Sequence, residues 1–164
     1  CVERLRGELD SLRLEAQRRL GAAPRPRVLL TTARNPAGLK DILTSARGTI
    51  HDELITLAGG QNLFGDIDIQ YPQVSLEDIV ARGPDVIIEL MPEVLVTQEL
   101  ARLMAEQWRE AGPIQACRAG RIHILGDEPR YAGSLIPSPR MVELARVFLD
   151  LIHPPQPTDS APRP

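Results

Sequence analysis

Lysine, aromatics and cysteine are scarce in this chain of 164 residues. Lys40 is the single lysine beside 18 arginines, a skew that points to GC-rich coding more than to a mechanism. Aromatic residues make up only 3%, so the core has to be aliphatic. Two cysteines, Cys1 and Cys117, build no disulfide framework. Three isolated histidines, His51, His123 and His153, lack the spacing of a metal site. A net charge of −3 leaves no basic field for a phosphate backbone, so nucleic acid is not an expected partner. No apolar run reaches the roughly 18 residues that a membrane span needs. Neither a Gly-rich phosphate loop nor a G-x-S-x-G elbow occurs. Cys117 stands beside Arg118 with no evident base, so it reads as no nucleophile. No catalytic constellation, metal or cofactor is expected.

What is present is globular: 43% hydrophobic and 25% charged residues, at the length of one domain. Val2, Leu5, Leu9, Leu12, Ala16 and Leu20 recur every three or four residues and predict a helix, ended by Gly21 and Pro24-Arg25-Pro26. This helix is read either as packing on the domain or as a connector from a preceding one. Arg27-Val28-Leu29-Leu30-Thr31-Thr32 predicts a buried parallel strand. Thr49-Ile50-His51-Asp52 opens a helix with an acid three residues after its cap, and Gly59-Gly60 stops it. Asn62-Leu63-Phe64 suggests a brief strand. Ser75-Leu76-Glu77-Asp78 repeats the cap logic. Asp85-Val86-Ile87-Ile88-Glu89 is the clearest buried strand. A helix over 97–111 is expected to bury Leu100, Leu103, Met104 and Trp108 or its neighbour. Arg121-Ile122-His123-Ile124-Leu125 reads as an alternating strand. Ser138-Pro139 starts a last helix, with Met141, Leu144, Ala145, Phe148, Leu149 and Ile152 as its stripe.

Helices and strands thus alternate, which predicts an α/β fold: an open, mostly parallel sheet flanked by helices. Expected boundaries are 1–23 for the first helix, 24–153 for the α/β body and 154–164 for a Pro-rich unstructured tail. Right-handed crossovers gather the strand-to-helix loops on one edge, where small molecules bind in such sheets. The residues expected there are Ala33, Arg34 and Asn35; Tyr71; Met91, Pro92 and Glu93; and Asp127, Glu128, Arg130 and Tyr131. Arg34 and Arg130 suit an anionic ligand, because guanidinium donors meet carboxylates in pairs. Tyr71 and Tyr131 offer flat apolar faces with a polar tip.

Several of these stretches resemble the C-terminal lobe of periplasmic solute-binding proteins for iron chelates and cobalamin. They are Gly48-Thr49-Ile50-His51-Asp52-Glu53-Leu54-Ile55, Ala58-Gly59-Gly60-Gln61-Asn62-Leu63-Phe64, Tyr71-Pro72-Gln73-Val74-Ser75-Leu76-Glu77-Asp78-Ile79 and Ala81-Arg82-Gly83-Pro84-Asp85-Val86-Ile87-Ile88. Gly120-Arg121-Ile122-His123-Ile124-Leu125 and Pro137-Ser138-Pro139-Arg140 follow the same order, over about residues 27–152.

The resemblance implies a single Rossmann-like lobe of a two-lobed binding protein, preceded by the end of its connecting helix. It implies a metal chelate such as cobalamin, a ferric siderophore or heme as ligand, ABC permease subunits as partners, and a missing N-terminal lobe. Ligand contacts are then expected from Arg34, Tyr71, Arg130 and Tyr131, and permease docking from Glu77. Cobalamin binders of the family often carry Trp where Tyr71 stands. The implied setting is the periplasm. Because a mature bacterial lipoprotein begins at Cys, a lipid anchor on Cys1 at the outer face of the cell membrane is the alternative, although a truncated chain explains Cys1 as well. Two other readings stay open: a stand-alone α/β interaction domain, and a small α/β enzyme using Asp127 or Glu93 as acid or base.

Overall fold

A computed structural model describes residues 2–91, 94–126 and 140–155. In chain order it contains α1 (Val2–Leu20), β1 (Arg27–Ala33), β2 (Ile42–Thr44), α2 (Ile50–Leu57), β3 (Gln61–Asn62) and β4 (Gln73–Val74). These are followed by α3 (Leu76–Arg82), β5 (Val86–Leu90), α4 (Gln98–Glu110), α5 (Gln115–Arg118), β6 (Ile122–Leu125) and α6 (Arg140–Ile152).

The strands form one sheet in the order β4-β2-β1-β5-β6, with β3 pairing along the first residues of β1. β1 is parallel to β5 in the register Val28↔Val86 to Thr31↔Glu89, and β6 is parallel to β5 on its other side. On its remaining side β1 changes partner. Arg27 and Val28 pair with parallel β3, whereas Thr31 and Ala33 pair with antiparallel β2. β4 continues that antiparallel edge, Ile42 opposite Val74.

Apolar side chains of β1 and β5 leave alternately to the two faces, as the pleat requires. Val28, Leu30, Val86, Ile88 and Leu90 pack with Leu12 and Ala16 of α1, Leu54 and Ile55 of α2, and Phe148 and Leu149 of α6. Leu29 and Ile87 pack on the opposite face with Ile79, Trp108, Ile114 and Ala116. Helix α1 is therefore part of this body's core, tied further by the Arg19–Asp150 ion pair at 2.7 Å.

The expected caps form. Thr49 Oγ1 accepts from the Asp52 N–H, Ser75 Oγ from the Asp78 N–H and Thr97 Oγ1 from the Leu100 N–H, each at 3.1–3.2 Å. Gly59 (φ +77°) and Gly60 end α2 by donating back to Thr56 and Ile55.

Four expectations change. Antiparallel β2 and β4 were not anticipated, since runs of three and two residues are too short to show a period. Helix α5 is an additional single turn. Leu103 is exposed, because α4 turns only the Met104 and Trp108 line inward. β6 is partly exposed at every position rather than alternating, as an edge strand covered incompletely. The expected start of α6 at Ser138-Pro139 and the tail beyond residue 155 lie outside the described residues.

Gly60 supports a specific expectation. A Cβ there would meet Ile55 and Val28 at 3.0 Å and Ile152 at 3.2 Å, all packed side chains of the core. Gly60→Ala should therefore cost about 1–3 kcal/mol, read as a lower urea midpoint at unchanged slope. An unaltered midpoint would mean that these contacts relax freely.

Candidate ligand-binding edge

The carboxyl ends of β1 and β5 are adjacent, and the chain leaves each into irregular backbone. After β1, residues 34–41 cross to β2. This segment is shaped by its own polar groups: the Asn35 side-chain oxygen accepts from the Ala37 N–H at 2.9 Å, and the Gly38 N–H donates to the Asn35 carbonyl at 3.2 Å. After β5, Leu95 is exposed.

Tyr71 lies just before β4. Its neighbours fix the backbone, since the carbonyls of Gln70 and Pro72 accept from the N–H groups of Ala46 and Thr44 at 2.9 and 3.1 Å. The ring stands edge-on to His51 in the first turn of α2, centroids 6.4 Å apart. It remains 38% exposed, next in the chain to Ile69 and Gln70, and partial burial pushes its phenol above the ordinary value. A flat, partly exposed ring is a surface on which a large conjugated ligand can lie.

His51 itself is fully buried, and neither ring nitrogen has a hydrogen-bond partner among the described residues. Burial lowers its pKa from 6.5 to about 4, so it is a neutral packing group under Tyr71 at pH 7.

Arg34 sits at the end of β1 where the sequence put it, but its guanidinium does not face solvent. The side chain is fully covered and pairs with Glu89 of β5, Nε to Oε2 at 2.8 Å. The expected contact with an anionic ligand is thus taken up inside the protein. Sequence reasoning missed Glu89 as the partner. The available signal was a lone carboxylate in Val86-Ile87-Ile88-Glu89-Leu90, since a charge in a fully buried strand demands a counter-charge.

Glu77 is exposed in the first turn of α3. Ser75 and Asp78 complete the cap between themselves, the Ser75 hydroxyl donating to Asp78 Oδ2 at 2.9 Å. The Glu77 carboxylate makes no ion pair or hydrogen bond among the described residues, and it is open to a cation from outside. Arg34 lies by the start of β2, where the Asn35 N–H donates to the Lys40 carbonyl, and Tyr71 lies by its other end, beside Thr44 and Ala46, whereas Glu77 lies beyond β4 on the next helix. Arg130, Tyr131, Pro92, Glu93, Asp127 and Glu128 lie outside the described residues. Cys117 donates to the Trp108 carbonyl, and burial raises its pKa, which makes it a poor nucleophile.

No family model matches the chain. Among curated relatives, the vitamin B12-binding protein of Salmonella paratyphi A is 41% identical over 51 residues, covering 31% of this chain and 19% of the relative. That of Vibrio cholerae is 36% identical over 70 residues, covering 43% of this chain and 22% of the relative. The sequence match thus spans about a fifth of those proteins.

Solved structures align over nearly the whole chain. They include a periplasmic heme-binding protein from Pseudomonas aeruginosa (TM-score 0.73, 22% identity, 92% of this chain and 50% of that one). The periplasmic vitamin B12-binding protein of Vibrio cholerae aligns at TM-score 0.65 and 22% identity, over 92% and 51% of the two chains. An Fe3+-hydroxamate transport protein from Saccharomonospora viridis aligns at 0.71 and 16%, over 92% and 47%. This chain spans about half of each.

Below pH 6.5 an unfolded chain protonates His51 while the folded one resists down to about pH 4. Stability is therefore complete above pH 6.5 and falls as the pH drops toward 4, by on the order of 3 kcal/mol from this residue. His123 and His153 are lowered too and add in the same direction. His51→Leu should flatten that part of the curve in urea titrations at successive pH values. A variant with the parent slope would remove His51 as the cause.

In fold the chain thus matches about half of several solved periplasmic binding proteins, and over 51 to 70 residues its sequence is similar to curated vitamin B12-binding proteins.

Proposed function

We propose that the chain is the C-terminal lobe of the substrate-binding component of an ABC importer, with a metal chelate such as cobalamin, heme or a ferric siderophore as ligand. The observation that carries this reading is the partly exposed Tyr71 ring, whose neighbours Gln70 and Pro72 are held by backbone hydrogen bonds just before β4. A chelate is broad, flat and partly apolar, and an aromatic face buries such a surface without fixing many rotors. Tyr71 is the proposed direct contact. Arg130 and Tyr131, which follow β6 in the sequence, complete the proposed ligand set. Arg34, buried against Glu89 at the end of β1, is not part of that set.

One lobe supplies half of a clamp. A second lobe closing over the ligand expels water and strengthens every polar contact inside. The closed protein then docks on permease subunits in the periplasm, with Glu77 meeting an arginine. The exposed carboxylate of Glu77, unpaired among the described residues, suits that role, because a pair with Arg is planar and bidentate.

Titration of the chain with cyanocobalamin and with hemin, followed in the visible spectrum, tests the ligand class. Tyr71→Ala should weaken whichever probe binds by about tenfold, which corresponds to about 1.4 kcal/mol. Equal affinity in the variant would remove Tyr71 from the contact surface. Glu77→Ala in the two-lobed protein should reduce uptake into permease-containing vesicles while leaving ligand affinity unchanged. An affinity loss of matching size would refute the docking role.

A further inference from the structure

Among the described residues, the most heavily connected polar group is the buried guanidinium at the end of β1. Arg34 Nε donates to both Glu89 oxygens, at 2.8 and 3.0 Å. The Trp108 indole N–H of α4 donates to the same carboxylate. Arg34 Nη1 reaches three acceptors: the carbonyls of Asn35 and Gly38, both at 3.1 Å, and Gln107 Oε1 at 2.7 Å. Gln107 then donates from Nε2 to the Pro36 carbonyl at 3.0 Å. Three carbonyls of one loop are therefore gripped, two by Arg34 and one by the next residue back in α4.

Stability alone does not explain this arrangement. A buried ion pair in place of hydrocarbon of similar volume is often neutral or unfavourable. What hydrocarbon cannot do is hold backbone carbonyls in a chosen place. The guanidinium is suited to it because its donors leave in a fixed planar fork. The third nitrogen, Nη2, is also buried and has no acceptor among the described residues.

We infer that Arg34, Glu89 and Trp108, all buried, together with the partly exposed Gln107, form a strut that sets the shape of loop 35–38 at the carboxyl end of β1, and that Gln107 is the positioning residue through which α4 holds that loop. Gln107 touches no ligand in this scheme. The link to binding rests on the clamp reading proposed above, whereas the strut itself does not.

Two readouts on the full chain separate the claims. Amide hydrogen exchange at Asn35 and Gly38 should quicken about fivefold in Gln107→Ala, the effect of one lost hydrogen bond. The amides of Leu29 and Leu30 and the urea midpoint should stay as in the parent. Gln107→Glu keeps an acceptor for Arg34 and loses the donor to Pro36, so its exchange should fall between the two. Unchanged loop exchange in both variants, or a global rise in exchange, would overturn the strut. For hemin or cyanocobalamin, whichever the parent chain binds, Gln107→Ala should raise the dissociation constant about fivefold. A faster loop with an unaltered constant would overturn the positioning role in binding. A parent that binds neither probe would count against the clamp reading, and the exchange result would still decide the strut.

Discussion

The pairing of β1 with β5 is the constraint from which the rest of this structure follows. Both strands are buried on both faces along their shared register, so each face needs its own cover of helices. Helices α1, α2 and α6 supply one cover, and α3, α4 and α5 contribute to the other. Each buried aliphatic side chain of β1 and β5 contributes roughly 2 kcal/mol by leaving water. The direction of the two strands then decides where a ligand can sit. Parallel strands end together, and the backbone that departs from their carboxyl ends has no ladder to continue.

That same constraint creates the polar centre. Position 89 falls on the side of β5 that faces α4, in step with Ile87, where the pleat calls for an apolar residue. A carboxylate there has to be paired, and the geometry brings it Arg34 from the next strand and an indole N–H from the helix above. The edge of the sheet is thus not merely where strands stop. It is anchored by a charge pair that lies under it, and the arginine which the sequence offered as a ligand contact is the one that does the anchoring.

Much of the fold was legible because its signals are local. Caps at Thr49 and Ser75, the stop at Gly59-Gly60 and the apolar runs of β1 and β5 each occupy a few consecutive residues. Strands β2 and β4 were not, since a ladder of two or three residues depends on partners elsewhere rather than on its own pattern. Tyr71 could be picked out as an aromatic in a loop of a chain with few aromatics. The burial of Arg34 could not, because it depends on Glu89, 55 positions away, and on Gln107 and Trp108, which lie on a different helix. Leu103 was misplaced by the width of the apolar stripe, which α4 narrows to the line of Met104 and Trp108.

Trp108 is the one tryptophan of the chain, and it lies wholly inside, against a carboxylate. An indole in that position makes tryptophan emission, excited beyond the tyrosine band, a single-site signal: its colour and yield report the surroundings of α4 where it meets β5. Any event that loosens the helix from the sheet therefore becomes visible without an attached dye, whether it starts at the ligand edge or deep in the core.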